Sequence, residues 1–166
     1  MVTKADFSAD EWQQVVAGMF LAGVAVSAAD PSGLWGMLKE SFASGRTLLE
    51  AKSTAGDNTL VKAIIADLET SEGRSNAQAF VKTRLQGAKA DDLKQRAIDA
   101  VQGAATIVEQ KAPVEATAYK GWLLKIASNV SEASKEGGFL GFGGVAVSDA
   151  ERATLAELTA ALESKA

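Results

Sequence analysis

The sequence contains no histidine and no cysteine, so its titratable side chains are carboxylates, lysines, arginines and one tyrosine. Disulfides, thiol nucleophiles, zinc sites built from cysteine or histidine, and any catalytic triad with a histidine base are therefore excluded. An enzyme built from the remaining set would need a carboxylate, Lys135 or Tyr119 with a strongly shifted pKa in a shared cleft. No sequence pattern marks such a cleft, so the composition favours a non-catalytic protein with no catalytic residues and no cofactor.

The glycine-rich run at residues 135–144 is the strongest candidate for a binding site. It combines five glycines with three large apolar side chains, between two segments with a helical pattern. Glycine permits tight turns and close approach, and each large apolar side chain gains about 1.5–3 kcal/mol on burial, so the pattern predicts a loop that plugs the core. The candidate interaction or ligand loop consists of Lys135, Gly138, Phe139, Leu140, Gly141, Phe142, Gly143 and Gly144.

Nucleotide-binding interpretations of this run fail on their context. The spacing of Gly141, Gly143 and Ala146 fits a G-x-G-x-x-A fingerprint, but no strand pattern precedes it, as dinucleotide binding requires. A Walker A loop is excluded because no Gly-Lys-Ser/Thr follows. An anion held by free backbone N–H groups near the last helix, with Lys135 beside it, stays open as an alternative to the plug.

Four acidic residues lie near the two glycine-rich turns and could supply oxygen ligands to Mg²⁺ or Ca²⁺: Asp30, Glu40, Glu136 and Asp149. Their spacing does not match the EF-hand loop. Positions on solvated helix faces explain these four acidic residues more simply than a metal site does. The sequence therefore assigns no metal ligand, and divalent-metal binding stays an alternative.

The three tryptophans divide into two roles. Trp12 and Trp122 lie on apolar faces of predicted helices, which indicates core positions. Trp35 lies beside Gly33 and Gly36, small residues that would let another helix approach closely. Because large amphipathic side chains anchor protein interfaces, Trp35 joins the candidate interaction site.

The whole chain has the composition of an ordinary globular protein, with 47% apolar and 23% charged residues among 166. This length suits one domain covering residues 1–166. The net charge of −4 gives no general attraction to phosphate backbones or anionic lipid, so we expect no nucleic-acid partner.

The elements that position these residues are predicted to be helices. Ser8 with Glu11, and Ser148 with Glu151, have the Ser-x-x-Glu form of a capping box before an apolar run. Apolar residues recur at helical spacing over the segments 9–29, 31–49, 60–68, 77–85, 91–112, 113–136 and 149–162. Residues 53–58 and 71–75 read as loops, and Gly121 predicts a close helix crossing. The fold class is therefore all-α, a single compact bundle of six or seven helices.

The first 28 residues imitate a secretory signal, since an uncharged run from 15 to 29 contains Val26, Ser27 and Ala28 near its end. The residues before the run are mainly acidic, whereas a signal peptide needs a positive leader. The 15-residue run is also shorter than the roughly 20 residues that span a bilayer. We therefore expect a central core helix, no transmembrane segment and a cytoplasmic protein.

A weak internal repeat relates residues 22–37 to residues 127–142. Small residues coincide at four positions, and apolar residues follow the same turn in both copies. This pattern is consistent with a pseudo-twofold duplication of a helix-turn unit, or with chance similarity in a chain rich in alanine and glycine.

The helix-turn-Ser-x-x-Glu-helix pattern resembles the helical TerB-like proteins of bacterial tellurite-resistance operons. The resemblance covers about a third of the chain and matches residues 147–151 to the start of the helix that follows the family's acidic turn. Gly144 and Val145 stand where that turn has an Asp-Gly pair, so its metal ligands do not carry over. The 135–144 run also resembles a loop of small bacterial helical proteins, which implies no activity.

These observations favour a helical interaction or scaffold protein that self-associates through an apolar patch around Trp35 and the loop from Phe139 to Phe142. We expect a homo-oligomer or a protein partner. The alternative is a binding module for a small ligand, an anion or a divalent metal, of the TerB-like stress-response type.

Overall fold

A computed structural model of the protein describes residues 2–28, 46–136 and 148–164. These residues form a short 3₁₀ turn, Lys4–Asp6, and seven α-helices. The helices are α1 (Ala9–Ser27), α2 (Arg46–Thr54), α3 (Thr59–Glu69), α4 (Ser71–Leu85), α5 (Ala90–Lys111), α6 (Pro113–Glu136) and α7 (Asp149–Glu163). The all-α prediction is confirmed, and within these ranges no residue lies in a strand.

Side-chain caps fix where several helices begin. Ser8 accepts a hydrogen bond from the backbone N–H of Glu11, and the Glu11 carboxylate accepts one from the N–H of Ser8, which is the predicted capping box. Ser148 and Glu151 repeat this arrangement at the start of α7. Each box satisfies backbone donors that a helix start would otherwise leave without a partner.

The Glu11 cap makes stability depend on pH. The hydrogen bond from the Ser8 N–H, at 2.7 Å, is the main cause that lowers the pKa of Glu11, and Lys111 contributes further. A lowered pKa means that the stabilisation is complete above the ordinary value of 4.5 and is lost as the pH falls through the lowered pKa. We expect Glu11→Gln to lower the free energy of unfolding at neutral pH, with the difference from wild type shrinking in acid.

Urea denaturation at neutral pH and at about pH 3 measures that difference. Glu132→Gln is the control, because Glu132 is exposed on α6 and its change removes the same charge. A difference between wild type and Glu11→Gln that stays constant from neutral to acid pH would contradict the assignment.

Helix α1 lies at the centre of the core. Every residue from 15 to 26 is buried, and α1 contacts α4, α5, α6 and α7 as well as α3. A helix surrounded on all sides has no polar face, which explains the uncharged run that imitates a secretory signal. The prediction of a central core helix is confirmed.

Helices α1 and α6 run parallel to each other. The Tyr119 hydroxyl meets the Val15 carbonyl, and further along both helices Gly23 lies against Val130. Because the contacts advance in the same direction along both helices, the carboxyl ends of α1 and α6 lie at the same end of the bundle.

Helix α7 begins at that same end. Only Ala112 separates α5 from α6, and α6 folds back along α5, so the two helices are antiparallel. Lys94 pairs with Glu157, and Gln102 bonds with Ser164, so α7 follows α5 in the same direction. The start of α7 therefore lies near the end of α6.

Two sequence predictions are wrong. Residues 71–75, read as a loop, form the first turn of α4, because the Thr70 hydroxyl caps the Gly73 N–H and lets the helix start at Ser71. Gly121 makes no close helix crossing: it is exposed, and a Cβ added there would meet nothing within 4 Å. Among the described glycines, the close approaches occur at Gly18, Gly73 and Gly103 instead.

A third prediction is wrong at one edge: Ser53 and Thr54, read as the start of a loop, are the last residues of α2. Apart from these cases, the predicted bounds that fall on described residues agree to within two residues. Pro113 opens α6, where its missing N–H is harmless, and α6 covers the predicted 113–136. Trp12 and Trp122 are buried, as predicted. In the described part of the chain, no helix combines the length and apolar character needed to cross a bilayer.

Candidate functional site

The sequence-predicted site falls largely outside the described residues. Trp35 and the loop residues Gly138, Phe139, Leu140, Gly141, Phe142, Gly143 and Gly144 all lie there. Lys135 belongs to the last turn of α6. The predicted plug and the second half of each repeat copy also fall outside these ranges, so both stay predictions.

The four candidate metal ligands are not brought together by the described structure. Asp30 and Glu40 lie outside it, and Glu136 is the last residue of α6. Asp149 lies at the start of α7, where its exposed carboxylate pairs with Arg152 at 2.9 Å. Within residues 2–28, 46–136 and 148–164, no three acidic side chains converge on a position for a metal ion.

Tyr119 has a structural position rather than a reactive one. Its side chain is fully buried, and its hydroxyl donates a hydrogen bond of 2.7 Å to the Val15 carbonyl oxygen. Burial raises the pKa of Tyr119, because the phenolate would lose its hydration. The hydroxyl is held against α1 instead of facing a cleft, so the requirement for an enzyme based on Tyr119 is not met.

A cleft of about 220 Å³ opens between α1, the end of α3 and the start of α4; we call it the Asp67 cleft. Its small or apolar lining residues are Ala9, which is exposed, and Trp12, Val16, Gly73 and Ala77, which are buried. Its rim carries polar and charged side chains, namely Lys4, Gln13, Asp67, Glu72 and Asn76. The cleft is therefore lined by charges of both signs, and its buried apolar residues expose almost no surface to it.

Asp67, on α3, links this helix to α1 and to the 3₁₀ turn Lys4–Asp6. One carboxylate oxygen accepts a hydrogen bond of 2.9 Å from the Trp12 indole N–H, and the other accepts one of 2.9 Å from the Lys4 ammonium. The Asp67 side chain is only 16% exposed. The two donors thus satisfy a partly buried negative charge. The Asp67 carboxylate in turn holds the indole and the ammonium in place.

The corner between α3 and α4 sets the back of the cleft. The N–H of Thr70 donates to the Asp67 carbonyl, while Arg74 donates to the carbonyls of Leu68 and Glu69 at 3.0 and 2.9 Å. These bonds satisfy the last carbonyls of α3, which would otherwise lack partners. Gly73 fits closely against the Asp67 carbonyl, so the corner is compact.

Sequence reasoning missed the Asp67 cleft. Trp12 and Asp67 are 55 residues apart, and the segment that forms one wall was read as a loop. The only signal in the sequence was the amphipathic character of Trp12, whose indole N–H needs a partner when the ring is buried.

In comparisons with protein-family models, with curated proteins and with solved structures, nothing matched this chain.

Proposed function

We propose that the chain is a helical interaction protein that self-associates through the end of the bundle where α1 and α6 finish. The parallel arrangement of α1 and α6 carries this proposal. It brings Ala28 and Glu136, where the chain enters residues 29–45 and 137–147, to the same end of the bundle.

The sequence of those two segments supports the choice of this end. Leu34, Trp35 and Met37 belong to the first segment, and Phe139 and Phe142 belong to the second. Burial of each such side chain in an interface contributes about 1.5–3 kcal/mol. Two apolar segments that start from one end of a bundle are well placed to contribute to a common association surface.

The oligomeric state tests the proposal. We expect wild-type protein to associate in native mass spectrometry and in light scattering across a concentration series. The double variant Phe139→Ser with Phe142→Ser should weaken association by about 100-fold or more, since it removes roughly 3 kcal/mol of apolar burial.

Val114→Ser is the matched control for this experiment. Val114 is 92% exposed at the opposite end of α6, so its loss should leave association unchanged. A wild-type protein that is monomeric at every concentration would contradict the proposal, as would equal weakening by the control. Thermal melting of each variant confirms that it is folded.

The second function, a small-ligand binding module, is favoured by a different observation, the Asp67 cleft. The resemblance of residues 147–151 to TerB-like proteins supports a bacterial stress-response setting for such a module. The acidic residues that precede the uncharged run, Asp6, Asp10 and Glu11, support a cytoplasmic location for either function. Both functions are compatible with one chain, because the cleft faces the amino-terminal half of α1 and association would use its carboxyl end.

A further inference from the structure

We propose that helix α7 is exchanged between two copies of the chain, so that the α7 of each copy packs in the groove that α1, α5 and α6 of the other copy form. This exchange rests on the proposed self-association, and it names the segment that crosses from one copy to the other. Four features point to it: the shallow packing of α7, its self-contained structure, the groove that receives it and the position of its start.

Helix α7 packs on the bundle through one narrow stripe. Three of its fifteen residues are buried, namely Thr154, Leu158 and Leu162, whereas thirteen of the nineteen residues of α1 are buried. The three buried residues are spaced by four, so they lie on one face of the helix. Because only two large apolar side chains anchor α7, it can leave its groove at a small part of the cost of unfolding the whole bundle.

The structure of α7 depends little on its neighbours. The capping box of Ser148 and Glu151 satisfies backbone donors at its start from within the same segment. The hydroxyl of the buried Thr154 donates a hydrogen bond of 2.9 Å to the Ala150 carbonyl, one turn earlier in the same helix. Removal of α7 from its groove breaks none of these bonds, so the helix can move as a unit.

The groove that receives α7 is formed by helices that also pack on one another. Helices α1, α5 and α6 are in mutual contact, and each of them contacts α7. On α5, the Lys94 ammonium pairs with Glu157 at 2.9 Å, and the Gln102 amide donates to the Ser164 hydroxyl at 2.9 Å. A second copy offers the same groove and the same two polar partners. An exchanged α7 therefore recovers the contacts that it gives up, and mutual exchange closes the dimer.

The start of α7 lies at the end of the bundle through which the copies are proposed to meet. Helix α6 ends there at Glu136, and residues 137–147 connect it to Ser148. A connection of that length reaches at most roughly 35–40 Å, which exceeds two or three helix diameters of about 10 Å each. It can therefore cross to a copy that meets the bundle at this end. Association there also raises the local concentration of the second groove.

Cross-linking between two single-cysteine variants tests the exchange. The chain contains no cysteine, so Lys94→Cys and Glu157→Cys each introduce one thiol, at side chains that are 33% and 46% exposed. The two variants are mixed, unfolded and refolded together, and treated with a short bis-maleimide. We expect the mixture to give a covalent dimer on a denaturing gel that neither variant gives alone, because residue 157 of one copy lies beside residue 94 of the other.

Lys52→Cys with Glu69→Cys is the matched control pair. These residues form an exposed ion pair between α2 and α3, neither of which is exchanged, so their mixture should give no covalent dimer. Thermal melting of each variant checks that it has refolded.

The outcomes separate the two proposals. If wild type is an oligomer in native mass spectrometry but the mixture of Lys94→Cys and Glu157→Cys gives no covalent dimer, the exchange is overturned and self-association stands. Equal yields of covalent dimer from the test and control mixtures would also overturn the exchange. A wild-type protein that is monomeric at every concentration would contradict both proposals.

Discussion

Replacing Gly73 by alanine is expected to lower the free energy of unfolding by about 3 kcal/mol. A Cβ at position 73 would lie 2.6 Å from the carbonyl carbon of Asp67 and closer still to its oxygen. The obstacle is backbone at the end of α3, which cannot move aside as a flexible side chain could. The corner between α3 and α4 must therefore open. The capping hydrogen bonds that Thr70 and Arg74 make at this corner would be disrupted at the same time.

Urea denaturation followed by circular dichroism measures this change. Gly121→Ala is the matched control, because Gly121 is exposed in the middle of α6 with nothing within 4 Å of an added Cβ. That substitution should stabilise the protein by about 1 kcal/mol, since alanine is the better helix former. If Gly73→Ala left the free energy of unfolding unchanged or raised it as Gly121→Ala does, the close contact at Gly73 would be disproved.

Replacing Gly18 by alanine is expected to destabilise the protein by about 2–3 kcal/mol. An added Cβ would lie 2.5 Å from the Tyr119 hydroxyl oxygen. The hydroxyl is fully buried and bonded to the Val15 carbonyl. To relieve the contact it must leave that carbonyl, and a buried hydroxyl without a partner costs about 1–3 kcal/mol.

The variant Tyr119→Phe tests whether the cost of Gly18→Ala comes from contact with the Tyr119 hydroxyl. Alone it should cost about 1 kcal/mol, the usual worth of one hydrogen bond. In the Tyr119→Phe background, Gly18→Ala should cost less than about 1 kcal/mol or stabilise, because the obstructing oxygen is gone and the other neighbours of the added Cβ lie at ordinary contact distances of 3.5 Å or more. Strictly additive effects in this double-mutant cycle would show that the two residues do not interact.

The sequence predicted the elements well where local chemistry decides them. Capping boxes at Ser8 and Ser148, and the proline that opens α6, gave the starts of three helices to within a residue. The uncharged run in α1 indicated burial on all sides. These features depend on neighbours three or four residues away, which the sequence displays directly.

Features that depend on contacts between residues far apart in the chain were predicted poorly from the sequence. Glycine at positions 73 and 121 has the same local propensity, yet Gly73 lies against a carbonyl of another helix and Gly121 faces open space. Thr70 overrode the loop-like composition of residues 71–75 because its hydroxyl caps α4. The Asp67 cleft was invisible for the same reason, since Lys4 and Trp12 meet Asp67 only after α3 packs on α1.

The burial of α1 among later helices has a consequence during synthesis of the chain. Val15 meets Tyr119 across 104 residues, and the ribosome adds about 5–20 residues per second. Helix α1, the most apolar of the helices within residues 2–28, 46–136 and 148–164, therefore waits on the order of 5–20 s before the helix it runs parallel to has been made. During that interval its surface is open to chaperones and to aggregation, so the yield of folded protein should depend on chaperone supply more than its final stability suggests.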